Sequence, residues 1–203
     1  MPRKRGLNAR KQPLQERSRE TVAVILEAAA RVLEVRGLEG YNTNAVAERA
    51  GVSIGSVYQY FPNKDALTLA LIGNFERELL EIVRVATVAA DRRDLRGALK
   101  SIIQSLLEAH ARRARLNRIL ETEEERLRQS MPNNSATAEL KTMIAAVLTE
   151  HRAELGAEID AATVDDVLMI VRAMVDGTFR EDVPHPVASR RILRAVEGYL
   201  RWH

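Results

Sequence analysis

Cysteine is absent from this 203-residue chain. That excludes disulfides, thiolate nucleophiles and cysteine-ligated zinc, and it suits a reducing compartment. Long apolar runs are missing too. No stretch approaches the roughly 18 residues that a membrane span needs, and no apolar core follows the basic N-terminus as it would in a secretory signal. The expectation is a cytoplasmic protein with no membrane partner. Catalytic patterns are also lacking: there is no phosphate-gripping glycine loop, no paired-acid arrangement and no nucleophile triad. An enzyme is therefore not expected, and neither is a cofactor. The histidine spacing gives no argument for a metal. Aromatic residues make up only 4% of the chain, so any place where they gather needs a reason.

What is present reads as a globular protein, with 46% hydrophobic and 29% charged residues. The net charge of +3 hides an asymmetry. Residues 1–64 carry 11 Lys/Arg against 6 Asp/Glu, a net of +5, and the remainder carries 20 against 22, a net of −2. A basic first part on a slightly acidic body suits a polyanion partner for the first part alone. Residues 1–14, with Arg3, Lys4, Arg5, Arg10 and Lys11, show no apolar period. They read as a flexible arm, either solvated or reaching DNA phosphates or the minor groove.

Helical periodicity begins near Gln15, with Val22, Ile25, Leu26, Ala29, Ala30 and Leu33 on one stripe. Gly37 is a plausible stop. Asn42 is a good N-cap for a two-turn helix over Thr43–Ala50, Gly51 suits a tight turn, and Ser53 can cap a second short helix from Ile54 to about Tyr60. Pro62 disfavours helix at Phe61. Two short helices joined by a glycine-containing turn are the pattern of a helix-turn-helix. The rest of the chain reads as helices only. Asn63 can cap a long one ending near Asp91, and Asp94 can cap another. Ile119, Leu120 and Leu127 suggest a shorter helix, broken by the MPNNS stretch, and a further one ends near Gly156. The last two run from about Ala161 to Arg180 and from a cap at Ser189.

The stretch VAERAGVSIGSVYQYFPNKDAL, in which the scarce aromatics gather, resembles the DNA-binding segment of TetR-type transcriptional regulators. The pattern is a short helix ending in Ala-Gly-Val-Ser, then a helix with an aromatic pair before Phe, then a Lys and an apolar residue. The resemblance runs from about Thr21 to Leu71; beyond that it is one of architecture. It implies an all-α fold, with an N-terminal three-helix helix-turn-helix domain over residues 15–64 and a helical effector-binding and dimerisation domain over 65–203.

In a helix-turn-helix the start of the second helix meets base edges. Here that is Ile54, Gly55 and Ser56, with Ser53 counted among the DNA-binding residues. Gly55 allows close approach, Ser56 can donate or accept, Ile54 can touch a thymine methyl, and free backbone NH groups favour a phosphate. By resemblance, Thr43, Tyr58 and Lys64 are phosphate contacts, Asn44 is a base contact from the first helix of the motif, and Gln59 and Tyr60 are groove-edge contacts. Few of these are charged, so shape and backbone contacts carry much of the readout. Val46, Ala47, Val52, Val57, Phe61 and Leu67 are expected in the core, and Tyr58 has a structural alternative.

The resemblance also makes the body a ligand-binding and dimerising unit. The last two helices then pair with a partner's through Val164, Val167, Leu168, Val171, Met174, Val175, Ile192, Leu193, Val196 and Leu200. An effector pocket is expected among Leu99, Ile103, Leu106, His110, Met143, Val147 and His151, with packed, hydrogen-bonded core histidines as the alternative at 110 and 151. The run ETEEER, Glu121–Arg126, reads as a solvated helix face paired with the Arg112–Arg118 run, or else as a selector of cationic effectors. The function expected is a homodimeric repressor that binds double-stranded DNA at a palindromic operator and is released by a small molecule. The alternative is a non-regulatory, DNA-associated architectural or assembly factor using the same head.

Overall fold

The computed structural model describes residues 12–89, 94–127, 135–155 and 158–202, with the side chains of 12–16, 89, 135 and 202 left out. The basic residues 3–11, the MPNNS stretch up to residue 134, Asp91 and Gly156 lie outside the described residues. In chain order the helices are α1 (Gln12–Gly40), α2 (Thr43–Ala50), α3 (Ile54–Tyr60), α4 (Lys64–Ala89), α5 (Leu95–Arg112), α6 (Ala114–Leu127), α7 (Ser135–Glu150), α8 (Arg152–Leu155), α9 (Ala161–Arg180) and α10 (His185–Trp202).

The chain forms two compact units. One holds the described residues through Ile72 together with Ile119–Leu127; the other holds Gly73–Arg118 and the remainder. The division differs from one at Lys64/Asp65. The first turns of α4 and the last two turns of α6 pack with the head, because their side chains complete its core and its ion pairs.

Local chemistry sets the head's elements. The stripe Ile25, Leu26, Ala29, Ala30 and Leu33 is buried, and α1 breaks its regular path at Gly37, whose φ of 64° suits glycine. Asn42 Oδ1 accepts from the Ala45 amide at 2.9 Å and starts α2. Gly51 ends α2 with φ 67°. Ser53 Oγ accepts from the Ser56 amide at 3.1 Å and starts α3, and Asn63 Oδ1 does the same for α4 with the Ala66 amide at 2.8 Å. Val46, Ala47, Val57, Phe61 and Leu67 are buried, as their periodicity implies, while Val52 is half-buried.

In the second unit α5, α7, α9 and α10 enclose one apolar core built from Leu99, Ile103, Leu107, Leu148, Val167, Ile192 and Val196 among others. Three expectations change here. Asp94 stands at the N-cap of α5 but makes no side-chain capping bond. The helix after residue 135 does not run unbroken to Gly156; it turns at His151 and resumes as the single turn α8. Finally, α10 begins at His185 rather than after Ser189. The Ala188 amide bonds the Pro184 carbonyl at 2.9 Å, and Pro186 lies in the first turn, where its missing NH has no helical partner to lose. Ser189 is buried inside the helix.

Candidate nucleic-acid interface

The face formed by α2, α3 and the start of α4 can be built residue by residue. A short helix with one apolar position per turn buries that position and leaves the others outward. In α3 the buried position is Val57. Ser53, Ile54, Gly55, Tyr58 and Gln59 are exposed, and Ser56 and Tyr60 half-exposed. Ile54 keeps 37% of its surface and Tyr58 49%, large values for apolar and aromatic side chains. From α2, Thr43 is half-exposed and Asn44 exposed.

Hydrogen bonds order this face. The Thr43 and Tyr58 hydroxyls lie 3.2 Å apart and tie α2 to α3. The Ser53 and Ser56 hydroxyls lie 2.8 Å apart at the start of α3. A Cβ added at Gly55 would meet only Ser53 Oγ, at 3.7 Å, so the fold itself does not require glycine there. At the start of α4 the Lys64 ammonium sits 5.3 Å from the centre of the Tyr41 ring.

Tyr41 was not singled out from the sequence, yet it organises this corner. Its ring is buried and its hydroxyl accepts from Thr68 Oγ1 at 3.3 Å. Burial pushes its pKa up to about 12, with the carboxylates of Glu123 and Asp65 adding to the effect. The phenol therefore stays neutral and leaves the positive charge of Lys64 undiminished. The only sequence hint was an aromatic directly before the Asn42 cap.

The run Glu121–Arg126 departs from a simple solvated face. Glu123 is 5% exposed. It accepts from Arg126 Nε at 3.1 Å and Nη2 at 2.7 Å, and Arg126 Nη2 also reaches Asp65 Oδ1 at 2.6 Å. A buried carboxylate needs such a partner. The hydrogen bonds to Glu123 and Asp65 hold the guanidinium firmly protonated, and Arg126 in turn holds the Asp65 carboxyl below its ordinary range. Arg118 of the basic run donates to the Phe179 carbonyl at 3.0 Å.

The chain's last two helices correct one expectation. Val164, Val167, Val175, Ile192, Leu193, Val196 and Leu200 are buried in the chain's own core, and Leu168, Val171 and Met174 pack against it. The apolar stripe read as a partner-facing surface is largely the inward stripe, because α5 and α7 cover it. The outward residues include Met169, at 62% exposure, and Val187. Tyr199 donates to Asp166 Oδ2 at 2.7 Å and fastens α10 to α9.

The residues expected to line an effector site separate in the same way. Leu99, Ile103 and Val147 are buried in the core, and Leu106 and Met143 are partly buried against it. His151 Nδ1 lies 3.3 Å from Glu154 Oε2 at the α7–α8 turn. His110 Nδ1 lies 2.9 Å from the Leu106 carbonyl, and its ring stands among other rings. Each histidine has its own partner.

The family model described as "Bacterial regulatory proteins, tetR family" matches residues 25–71, the segment whose geometry has just been given. Residues 25–71 are a DNA-binding head of the tetR family. The HTH-type transcriptional regulator TtgR of Pseudomonas putida is 29% identical over 174 residues, covering 81% of each chain. The nucleoid occlusion factor SlmA of Shewanella baltica is 28% identical over 152 residues, covering 71% of this chain and 75% of that one. A crystal structure of a TetR-family transcriptional regulator from Streptomyces coelicolor superposes with a TM-score of 0.65 at 26% identity, over 89% of this chain and 99% of that one. With this TetR-type head the protein is a DNA-binding regulator rather than an enzyme, with its helix-turn-helix on α2 and α3. Among the described residues no helix is long and apolar enough to cross a membrane.

Proposed function

We propose that this protein is a TetR-family homodimeric repressor that holds a palindromic operator and is released by a small-molecule effector, in the cytoplasm where the chromosome lies. The observation that carries the reading is the outward set Thr43, Asn44, Ile54, Gly55, Ser56, Tyr58 and Gln59, ordered by the Thr43–Tyr58 contact while α3 is anchored through the buried Val57. In this reading Ser53 and the free amides at the start of α3 meet a phosphate, and Ile54, Gly55 and Ser56 lie at base edges. The bare Gly55, unneeded by the fold, lets the helix come close. Tyr58, Lys64 and Thr43 hold the backbone, while Asn44, Gln59 and Tyr60 reach the groove and its edge.

A single head would bind weakly, and a two-fold dimer sets two α3 helices about 34–36 Å apart. The support for dimerisation is the outer surface of α9 and α10. Met169 and Val187 are open to solvent there. A groove of about 170 Å³ lies between the two helices, walled in part by Met174, Gly177, Val183 and Ile192 and flanked by Glu181 and Arg191. A second copy supplies both the apolar cover and the opposite charges that such a surface needs.

The test is selection of bound sequences from random duplexes by the purified chain, followed by titration of the winner. A two-fold motif with half-sites one helical turn apart supports the repressor reading. A bound pool without two-fold symmetry overturns it and favours a non-regulatory, DNA-associated architectural or assembly factor.

A further inference from the structure

In the second unit four rings form a row. His110, in the last turn of α5, meets Phe75 of α4 edge to face, with centroids 5.7 Å apart. The same ring stacks on Phe179 of α9 at 5.9 Å and an interplanar angle of 19°. Phe179 in turn meets His185 of α10 at 5.6 Å. The Leu106 carbonyl can only accept, so Nδ1 of His110, at 2.9 Å, carries the proton. Burial keeps the ring from gaining a second proton, so Nε2 is a lone-pair acceptor.

Asn117 of α6 belongs to the same place. It is 3% exposed, and its Nδ2 donates to the His110 carbonyl at 3.1 Å. That bond fixes the amide orientation, since a flipped amide would set oxygen against oxygen. Its Oδ1 is then buried with no hydrogen-bond partner among the described residues. A buried acceptor without a donor is disfavoured, and proteins rarely keep one without a use. The charges that reach His110 are of both signs: Asp176 favours its protonation and Arg172 opposes it. Neither an anion nor a cation is selected.

We infer that Asn117 and the ring row around His110 are the recognition point for the effector, and that the effector is a neutral, flat ligand of the phenol class that donates a hydrogen bond. The inference rests on the reading of the body as ligand-responsive. Asn117 Oδ1 takes the ligand's O–H, the His110 Nε2 lone pair can take a second donor, and the Phe75 and Phe179 faces cover the ring. All four side chains sit on different helices of one compact unit, so a ligand there contacts α4, α5, α6 and α9 together.

The experiment uses the full chain without DNA, with phenol as the probe and anisole, which has the ring but no O–H, as its control. Calorimetric titration should show phenol binding at least ~10-fold tighter than anisole, the usual effect of one hydrogen bond to a buried acceptor. Asn117→Leu should erase that difference by weakening phenol alone, and Phe179→Leu should weaken both. If Asn117→Leu does not fold, crystals of the unaltered chain soaked in phenol serve instead, with the phenol oxygen expected within hydrogen-bonding distance of Asn117 Oδ1. Equal affinity for the two compounds, binding of neither at millimolar concentration, or an ordered water alone at Oδ1 in the soaked crystals overturns the site. Because no DNA is present, such a failure leaves the operator-binding reading untouched, and a failure to select an operator leaves this site standing.

Discussion

The hydroxyls of Thr43 and Tyr58 lie 3.2 Å apart although 15 positions separate the two residues in the chain. Each restrains the other, so both present an ordered hydroxyl on the same face. A phosphate oxygen can accept from one while the pair persists, which lowers the entropy lost on binding. Tyr58→Phe keeps the ring and deletes the link. Its operator affinity should fall several-fold, about 1 kcal/mol, with Tyr58→Ala weaker still, as read by fluorescence anisotropy.

Lys64 differs in kind, because its contribution is charge. Lys64→Ala should weaken all duplexes alike and lower the slope of log affinity against log salt by about 1 per head. Measurement at several salt concentrations separates this from Tyr58→Phe, which should leave the slope unchanged. Parent-like affinity for both variants at every salt concentration would sink the assignment of contacts.

Gly51 is held at φ 67°, with nothing within 4 Å of an added Cβ. Space is therefore not what selects glycine; the left-handed backbone is. Gly51→Ala should destabilise the head by about 1 kcal/mol, seen as a lower urea midpoint with an unchanged slope.

Arg126 neutralises a buried Glu123 and reaches the exposed Asp65. Arg126→Met should cost about 3 kcal/mol at neutral pH, because Glu123 is left as an unpaired buried charge. Asp65 supplies a pH signature. Its folded pKa lies below the ordinary 3.8, so its stabilisation is complete above that value and is lost as pH falls through the lower folded value. In Asp65→Asn the melting temperature should decline less steeply below about pH 4. An identical acid limb would show that the Arg126 contact is not made in solution.

His110 gives a second window. Its folded pKa is lowered by burial from 6.5, so the unfolded chain takes up its proton first. The stability tied to the neutral ring is full above pH 6.5 and is lost as pH falls from there through the lower folded value. His110→Gln should flatten the stability profile over that interval, measured by thermal melts at closely spaced pH values.

The outer face of α9 offers a test of assembly. Met169→Glu places a charge on an exposed apolar position, where it should leave the single chain's fold intact. Sedimentation velocity should show dimer dissociation rising at least ~10-fold, with a parallel loss of operator affinity. A dimer unaffected by the change would move the interface elsewhere.

Much of the head was legible because its determinants are local. Asn42, Ser53 and Asn63 each bond an amide three residues on, Gly37 and Gly51 adopt the conformations their lack of Cβ permits, and Val57 repeats a helical period. Such chemistry is complete within one turn of chain, so reading along the chain finds it. The body shows where that reading stops. Periodicity marked Val164, Val167, Ile192 and Val196 as an apolar stripe, which is correct. It does not say whether a stripe faces a partner or the chain's own α5 and α7, and burial shows the latter.

Other features exist only through contacts between distant segments. Glu123 looked like one charge in an acidic run until the head closed over it and Arg126 joined it to Asp65. Tyr41 meets Thr68 from 27 residues away, and Asn117 Oδ1 becomes an acceptor with no partner among the described residues only where α6 meets the end of α5. The sequence by itself therefore determined the helices, the turn and the outward residues of α2 and α3, since turn-scale hydrogen bonds and backbone conformations are decided within a few residues. The tertiary structure alone decided which apolar stripe is inside, which carboxylate is buried and which polar atom lacks a partner, because desolvation depends on everything that packs around a group.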